Sequence, residues 1–151
     1  MSKAKQIQIG VLAVQGDVLE HVLMMDEVLK KNSIKSKTKL VRTPEAVEEL
    51  DGLIIPGGES TVMSRLITEK RFGDKLVNKI QDKVKRGMAI FGTCAGAIML
   101  SKTSSDQVVK DFSQALLELM DIEVLRNKYG RQMYSFERSL SIESLGKKEF
   151  P

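Results

Sequence analysis

The sequence predicts an α/β protein: a three-layer fold with a mostly parallel central sheet flanked by helices. Short apolar runs with the length of buried strands alternate along the chain with longer segments in which apolar residues recur at helical spacing. Two of the runs lead directly into glycine-containing turns, one at Gly57 and one at Gly92. Because strands that alternate with helices pair in parallel through right-handed crossovers, both turns should lie at the carboxyl edge of one sheet.

The predicted elements follow a regular order over the first 100 residues. Strands are predicted at residues 6–15, 38–42, 52–55 and 88–91, and helices at residues 17–31, 45–50, 60–68, 73–86 and 95–100. The inward positions of the first helix are Val18, Val22, Met25 and Leu29. Beyond Leu100 the pattern weakens, and it predicts a polar loop at 101–111, a helix at 112–120, and strands at 122–126 and 139–142.

Length and composition predict one domain over residues 1–151. With 42% apolar residues the chain has an ordinary globular composition. No window approaches the roughly 18 apolar residues of a membrane span, and the first five residues lack the apolar core of a signal peptide. The single cysteine, Cys94, excludes an internal disulfide and favours a reducing, cytoplasmic location. We therefore expect no membrane partner.

The charge pattern does not predict a nucleic-acid partner. The net charge of +4 comes from 24 Lys and Arg against 20 Asp and Glu. Part of the excess lies at Lys30, Lys31, Lys35, Lys37 and Lys39, where no aromatic side chains are interleaved to stack on bases. A solvated loop and strand edge explains this run.

Cys94 lies where a strand turns directly into a helix, within Gly92-Thr93-Cys94-Ala95-Gly96. Such a turn needs small neighbours, because the following helix comes close to the strand that it leaves. A thiol at the apex is lifted from the backbone and can act as a nucleophile, with adjacent N–H groups free. The alternative is that Cys94 is a small buried apolar residue.

A second glycine motif, Pro56-Gly57-Gly58-Glu59-Ser60-Thr61, follows the apolar strand at residues 52–55. A Gly-Gly pair at the end of a parallel strand can present backbone N–H groups to an oxyanion or a carboxylate. The simpler alternative is a tight turn followed by a helix cap.

Together, the two motifs resemble the class I (triad) glutamine amidotransferases. Three further stretches narrow the resemblance to the glutaminase subunits of pyridoxal 5'-phosphate synthase. They are residues 9–16 with Glu20-His21, residues 51–54, and residues 126–132 leading to Ser135-Phe136-Glu137. The similarity covers nearly the whole chain.

The resemblance implies roles for particular residues. Cys94 would be the nucleophile, and the oxyanion would be bound by Gly57, Gly58 and Ala95, with Gln15 beside them. The α-amino and α-carboxylate groups of L-glutamine would be held by Gly58, Glu59, Ser60 and Arg126. Arg126 also has a simpler interpretation, as a surface charge at a strand end. The family implies no metal and no cofactor, and it implies a partner, the synthase subunit that receives the ammonia.

One departure from the family is plain in the sequence. The family's triad continues with a His-Pro-Glu motif, which these 151 residues do not contain, so we expect a C-terminally incomplete domain and a nearly inert chain. The only histidine, His21, lies in the first helix, where the family has a partner-facing position rather than a base. Two alternatives stay open: a non-catalytic module that binds a synthase, and another triad amidotransferase or cysteine hydrolase.

Overall fold

The computed structural model describes residues 6–68, 74–130, 132–134, 136–143, 146 and 149–150. Its main sheet contains four parallel strands in the order β2-β1-β3-β4. These strands are β1 (Ile9–Leu12), β2 (Lys39–Val41), β3 (Gly52–Ile55) and β4 (Ala89–Gly92). The predicted α/β fold with a parallel central sheet is confirmed. The bounds of β2, β3 and β4 lie within one residue of the prediction, whereas β1 is three residues shorter at each end than the predicted strand at 6–15.

Helices connect the parallel strands and flank the sheet. They are α1 (Val18–Lys31), α2 (Pro44–Val47), α3 (Ser60–Ile67), α4 (Lys75–Lys85) and α5 (Ala95–Leu100). The short helix α2 begins with Pro44 at its first turn, where a missing N–H is tolerated. The predicted start of the fourth helix, Gly73, lies outside the described residues.

The core lies between the sheet and the helices that pack on it. All four residues of β3 are buried, as expected for a central parallel strand with both faces covered. In α1 the predicted inward positions are buried or half-buried, whereas Leu19 and Leu23 are more than 60% exposed. The fully buried side chains of the core include Leu12, Val41, Ile55, Met63, Ile67, Leu76, Ile80, Met99 and Leu117.

The loop predicted at residues 101–111 is wrong for its first six residues. These form β5 (Ser101–Asp106), which pairs in parallel with β6 (Met120–Arg126) in a separate two-stranded sheet. Most side chains of β5 are exposed or half-buried, so the strand needs no apolar alternation and its sequence carries no strand signal. Backbone pairing with β6 fixes its conformation instead. The strand predicted at 122–126 is confirmed within β6.

The helix predicted at residues 112–120 is also wrong, because this segment has no helical turns and ends at the start of β6. Its backbone bonds to α5: the Leu117 N–H donates to the Met99 carbonyl at 2.7 Å, and the Leu119 N–H donates to Leu100 at 2.9 Å. The segment therefore satisfies terminal carbonyls that α5 leaves without a partner. Its apolar residues anchor it, with Leu117 fully buried.

The last described segments are short. Residues Gln132–Tyr134 form a 3-10 turn, and β7 (Leu140–Ser141) pairs antiparallel with β8 (Glu149–Phe150). The strand predicted at 139–142 is thus reduced to two residues. Tyr129 and Phe136 pack edge to face, with ring centroids 5.4 Å apart.

Candidate active site

Cys94 occupies a strained elbow between β4 and α5. Its φ of 47° and ψ of −110° lie in a region that non-glycine residues seldom adopt, at an estimated strain of about 1–3 kcal/mol. The Thr93 N–H donates to the Ile55 carbonyl at 3.1 Å, and the Gly96 N–H donates to Thr93 at 2.7 Å. The thiol is exposed, so Cys94 is not the buried apolar residue of the simpler interpretation.

The elbow requires a glycine at position 96. A Cβ atom added there would lie 2.1 Å from the carbonyl oxygen of Ile55 at the end of β3. Real Cβ atoms do not approach backbone oxygens this closely, so any other residue would push the elbow away from β3. The prediction that small residues make room for the turn is confirmed.

The structure brings the Gly57-Gly58 loop beside the elbow. A Cβ atom on Gly57 would lie 3.6 Å from the Cβ of Cys94 and 3.1 Å from Oδ2 of Asp17. The Gly57 carbonyl accepts a hydrogen bond from the Asp17 N–H at 3.1 Å. Because a trans peptide is planar, the Gly58 N–H points away from Asp17. The Ala95 N–H opens α5, and the first N–H groups of a helix have no partner within it.

Residues after β1 interlock with this loop. Oε1 of Gln15 accepts a hydrogen bond from the Glu59 N–H at 3.0 Å, so Gln15 lies beside the loop as the family resemblance implies. Gly16 has a φ of +98°, and a Cβ atom there would lie only 1.8 Å from the Gly57 carbonyl oxygen. Position 16 therefore needs glycine both for its φ and for the close approach of the loop.

Glu59 and Arg126 form an ion pair across 67 residues of sequence. Nη2 of Arg126 lies 2.9 Å from Oε1 of Glu59, which also accepts from the N–H and hydroxyl of Thr61 and so caps α3. The guanidinium Cζ lies 4.5 Å from the ring centroid of Phe112. Only 13% of the Arg126 side chain is exposed, so it is not a free surface charge.

Ser60 is placed differently from the other predicted site residues. It is only 2% exposed, and its hydroxyl donates to Oε1 of Gln114 at 3.1 Å. The hydroxyl therefore has an internal partner, and the group of Ser60 that remains for a ligand is its backbone N–H at the start of α3.

The sequence did not indicate that His21 contacts the elbow. Its Nδ1 lies 2.7 Å from the Asp17 carbonyl, which can only accept, so Nδ1 carries the proton. In the neutral ring Nε2 then accepts from the Thr93 hydroxyl, 3.0 Å away. Thus α1 is tied to the residue that precedes Cys94. No local pattern signals a contact over 72 residues.

Asp106 was also missed, because its segment was predicted as a loop. Oδ2 of Asp106 lies 3.5 Å from Nη1 of Arg126. Hydrogen bonds from the backbone N–H groups of Val108 and Val109 hold the pKa of this carboxyl below its ordinary value of 3.8, with smaller contributions from Asn127 and Arg126. The carboxylate thus stays ionised at neutral pH.

The described surface also has a charged groove away from Cys94. A groove between α2 and α4 is lined by charged side chains, among them Glu45, Glu48 and Lys79, and includes none of the residues around Cys94.

Within the described ranges, no three His, Cys, Asp or Glu side chains are grouped as metal ligands. None of the helices described has the length and apolar composition needed to cross a bilayer.

Comparisons with known proteins agree with the motifs. A model of the SNO glutamine amidotransferase family matches residues 11–151. Pyridoxal 5'-phosphate synthase subunit PdxT of Hyperthermus butylicus is 43% identical over 140 residues, which cover 93% of this chain and 65% of that protein. The subunit of the same name from Thermotoga maritima is 45% identical over 144 residues, covering 95% and 69%.

A solved structure gives the same result. The crystal structure of a glutamine amidotransferase superimposes with a TM-score of 0.68 and 39% sequence identity, covering 93% of this chain and 68% of that one. The chain therefore spans about two thirds of the length of the relatives that it matches.

Proposed function

This chain belongs to the SNO glutamine amidotransferase family, and from that premise we propose that it hydrolyses L-glutamine to L-glutamate and ammonia through a thioester on Cys94. The observation that carries the proposal is the link between three separate segments: the elbow, the loop of residues 57–59, and Arg126. A Cβ atom on Gly57 would lie 3.6 Å from the Cβ of Cys94, and Glu59 of the same loop pairs with Arg126. These segments supply a nucleophile, backbone donors and a pair of opposite charges.

The chemistry proceeds in two steps. The Cys94 sulfur attacks the carbonyl carbon of the side-chain amide, so a C–S bond forms and the carbonyl oxygen takes the electron pair. When the C–N bond breaks, nitrogen gains a proton and leaves as ammonia. Water then attacks the thioester, releases glutamate and returns the thiol. In the family that the chain resembles, a histidine and a glutamate of a His-Pro-Glu motif move the protons; these 151 residues do not contain that motif, so we expect them to turn over glutamine very slowly by themselves.

Backbone N–H groups would stabilise the oxyanion of the first step. Candidates are the N–H of Ala95 at the start of α5 and those of Gly57 and Gly58, with Gln15 positioning the loop. Loss of a single donor of this kind typically lowers kcat by ~10²–10³. Glycines allow the donors to approach a substrate without steric obstruction.

The Glu59–Arg126 pair suits the other end of glutamine. The α-amino group is positive and matches Glu59, and the α-carboxylate matches Arg126, so a zwitterion can replace the ion pair with two complementary contacts. The backbone N–H of Ser60, directly after Glu59, is a further donor for the carboxylate. The side chain of Ser60 supports the loop through Gln114.

The names of the relatives suggest where the ammonia goes. The curated relatives are subunits of pyridoxal 5'-phosphate synthase, and we propose that this chain delivers ammonia to a synthase subunit that makes pyridoxal 5'-phosphate. We further propose that residues 1–151 belong to one amidotransferase domain, and that the protein is cytoplasmic, which its single unpaired cysteine supports.

A chloroketone amino acid of glutamine's size tests this proposal. Cys94 should displace the chloride and form a thioether, which peptide mass mapping locates on the single cysteine of the chain. The L form should label Cys94 at least about tenfold faster than the equally reactive D form, since only the L form places both charged groups on Glu59 and Arg126. Equal rates for the two forms would contradict the amino-acid site, and no labelling would contradict the nucleophile.

A further inference from the structure

Asp106 contacts Arg126 through a different terminal nitrogen from the one that Glu59 contacts. Its Oδ2 lies 3.5 Å from Nη1 of Arg126, whereas Glu59 contacts Nη2 at 2.9 Å. The two carboxylates differ in burial: the Asp106 side chain is 2% exposed and that of Glu59 is 52% exposed. Arg126 therefore has one buried partner and one exposed partner.

The Asp106 carboxylate is itself fixed by several donors. Oδ1 accepts from the backbone N–H of Val108 at 2.9 Å and of Val109 at 3.1 Å. Oδ2 accepts from Nδ2 of Asn127 at 2.9 Å. A carboxylate with these partners has little freedom to move, and it joins the end of β5 to the end of β6.

We propose that Asp106 is a positioning residue, which keeps the Arg126 guanidinium in place when the Glu59–Arg126 ion pair opens to admit the substrate's α-carboxylate. This inference rests on the proposed function. An entering ammonium group competes for Glu59, so Arg126 loses its exposed partner at the moment when it must bind the carboxylate. Its remaining contacts are then Asp106 and the ring of Phe112, 4.5 Å from Cζ.

The opposite effect of the same charge is also physically reasonable. Asp106 is negative, and its field disfavours a second carboxylate on Arg126. If Asp106 mainly positions the guanidinium, removal of its charge weakens glutamine binding. If Asp106 mainly repels the substrate, removal of its charge tightens glutamine binding, so the experiment distinguishes the two effects. Asp106 contacts Nη1 of Arg126 directly, whereas a substrate carboxylate that takes the place of Glu59 would bind the other terminal nitrogen, Nη2, so we expect positioning to dominate.

The test measures binding of L-glutamine and L-glutaminamide to the 151-residue chain by calorimetry. Glutaminamide has an uncharged amide in place of the α-carboxylate, so it needs no fixed guanidinium. In Asp106→Asn the side-chain oxygen can still accept from Val108 and Val109, but the charge facing Arg126 is lost. We expect Kd for glutamine to rise about tenfold and Kd for glutaminamide to change less than about twofold.

The matched control is Asp121→Asn. Asp121 lies on β6 of the same two-stranded sheet and pairs with Lys102 at 3.1 Å, but it is 89% exposed. This variant loses the same charge and should bind both ligands as the parent does. If Asp106→Asn fails to fold, Asn127→Gly removes the side-chain donor that fixes Oδ2 of Asp106 but keeps the charge of Asp106, and it should weaken glutamine binding but not glutaminamide binding.

Three results would overturn the proposal. Equal weakening of both ligands in Asp106→Asn would indicate a general structural effect. Unchanged or tighter glutamine binding would mean that Asp106 does not position Arg126, or that it mainly repels the substrate. Failure of the parent chain to bind glutamine would contradict the proposed function and, with it, this role, whereas the first two results leave the proposed function intact.

Discussion

Replacing Gly16 with alanine should destabilise the protein more than the same change at Gly87. The two glycines have nearly the same φ, +98° and +100°. A Cβ atom at position 16 would lie 1.8 Å from the Gly57 carbonyl oxygen, whereas one at position 87 would meet nothing within 4 Å. The pair of variants therefore separates backbone strain from the close approach of the Gly57-Gly58 loop.

The expected difference in the free energy of unfolding comes from the energetic contributions that only one of the two variants has. In both variants, an alanine with positive φ destabilises the folded state by about 1–2 kcal/mol. In both, the lower conformational entropy of the unfolded chain stabilises the protein by about 0.4–1 kcal/mol. Only Gly16→Ala must also displace the Gly57 carbonyl, at about 1–3 kcal/mol for overpacking, and break its hydrogen bond to the Asp17 N–H, worth about 1 kcal/mol. We expect Gly16→Ala to be less stable than Gly87→Ala by about 2–4 kcal/mol.

Urea unfolding followed by far-UV circular dichroism measures this difference, provided that both variants unfold in one transition with similar m-values. Gly16→Ala should also lose glutamine binding, because the displaced loop carries Glu59. Free energies of unfolding that agree within about 0.5 kcal/mol would refute the argument, since a contact at 1.8 Å would then have no energetic consequence.

Three further changes test other parts of the structure. Leu117→Ala should lower the free energy of unfolding by about 2–5 kcal/mol, against less than about 0.5 kcal/mol for the exposed Val109→Ala; equal effects would contradict the burial of residue 117. Hydrogen bonds from the hydroxyl and N–H of Thr38 lower the pKa of Asp26 below 3.8. This folded-state pKa lies below the unfolded-state pKa, so the carboxylate stabilises the fold above pH 3.8 and loses this effect as the pH falls through the folded-state pKa. In thermal melts from about pH 6 to 2, the stability of Asp26→Asn should therefore fall less than that of the parent. The 61% exposed Leu23 belongs to an apolar face of α1, so the parent should self-associate in light scattering and Leu23→Lys should do so less; a monomeric parent would contradict this.

The main sheet could be predicted because local sequence determines it. The residues of β3 and α5 match their predicted bounds, since an apolar run between turn residues and a helix opened by a small-residue turn are local signals. Residues 101–106 and 112–119 were mispredicted because long-range partners determine their conformations. A polar strand paired with β6, and an extended segment bonded to the end of α5, leave little trace in local periodicity.

Part of the candidate site could likewise be predicted from local sequence, and part could not. Cys94 and the Gly57-Gly58 loop follow from motifs whose glycines are needed locally. The partners that orient the site could not be predicted, because their contacts join distant segments: Asp106 reaches Arg126, and His21 reaches Thr93 over 72 residues. The first contact follows from the pairing of β5 with β6 and the second from the position of α1 beside the elbow, and no short window of sequence specifies either.

The rate at which iodoacetamide alkylates Cys94 tests the central claim most directly. The claim is that glutamine binds with its side-chain amide over the exposed thiol of Cys94 and its charged end on Glu59 and Arg126. At ten times its Kd, L-glutamine should slow alkylation about tenfold, as occupancy requires. L-asparagine, one methylene shorter, should leave the rate unchanged. An alkylation rate that is the same with and without saturating L-glutamine would contradict the claim.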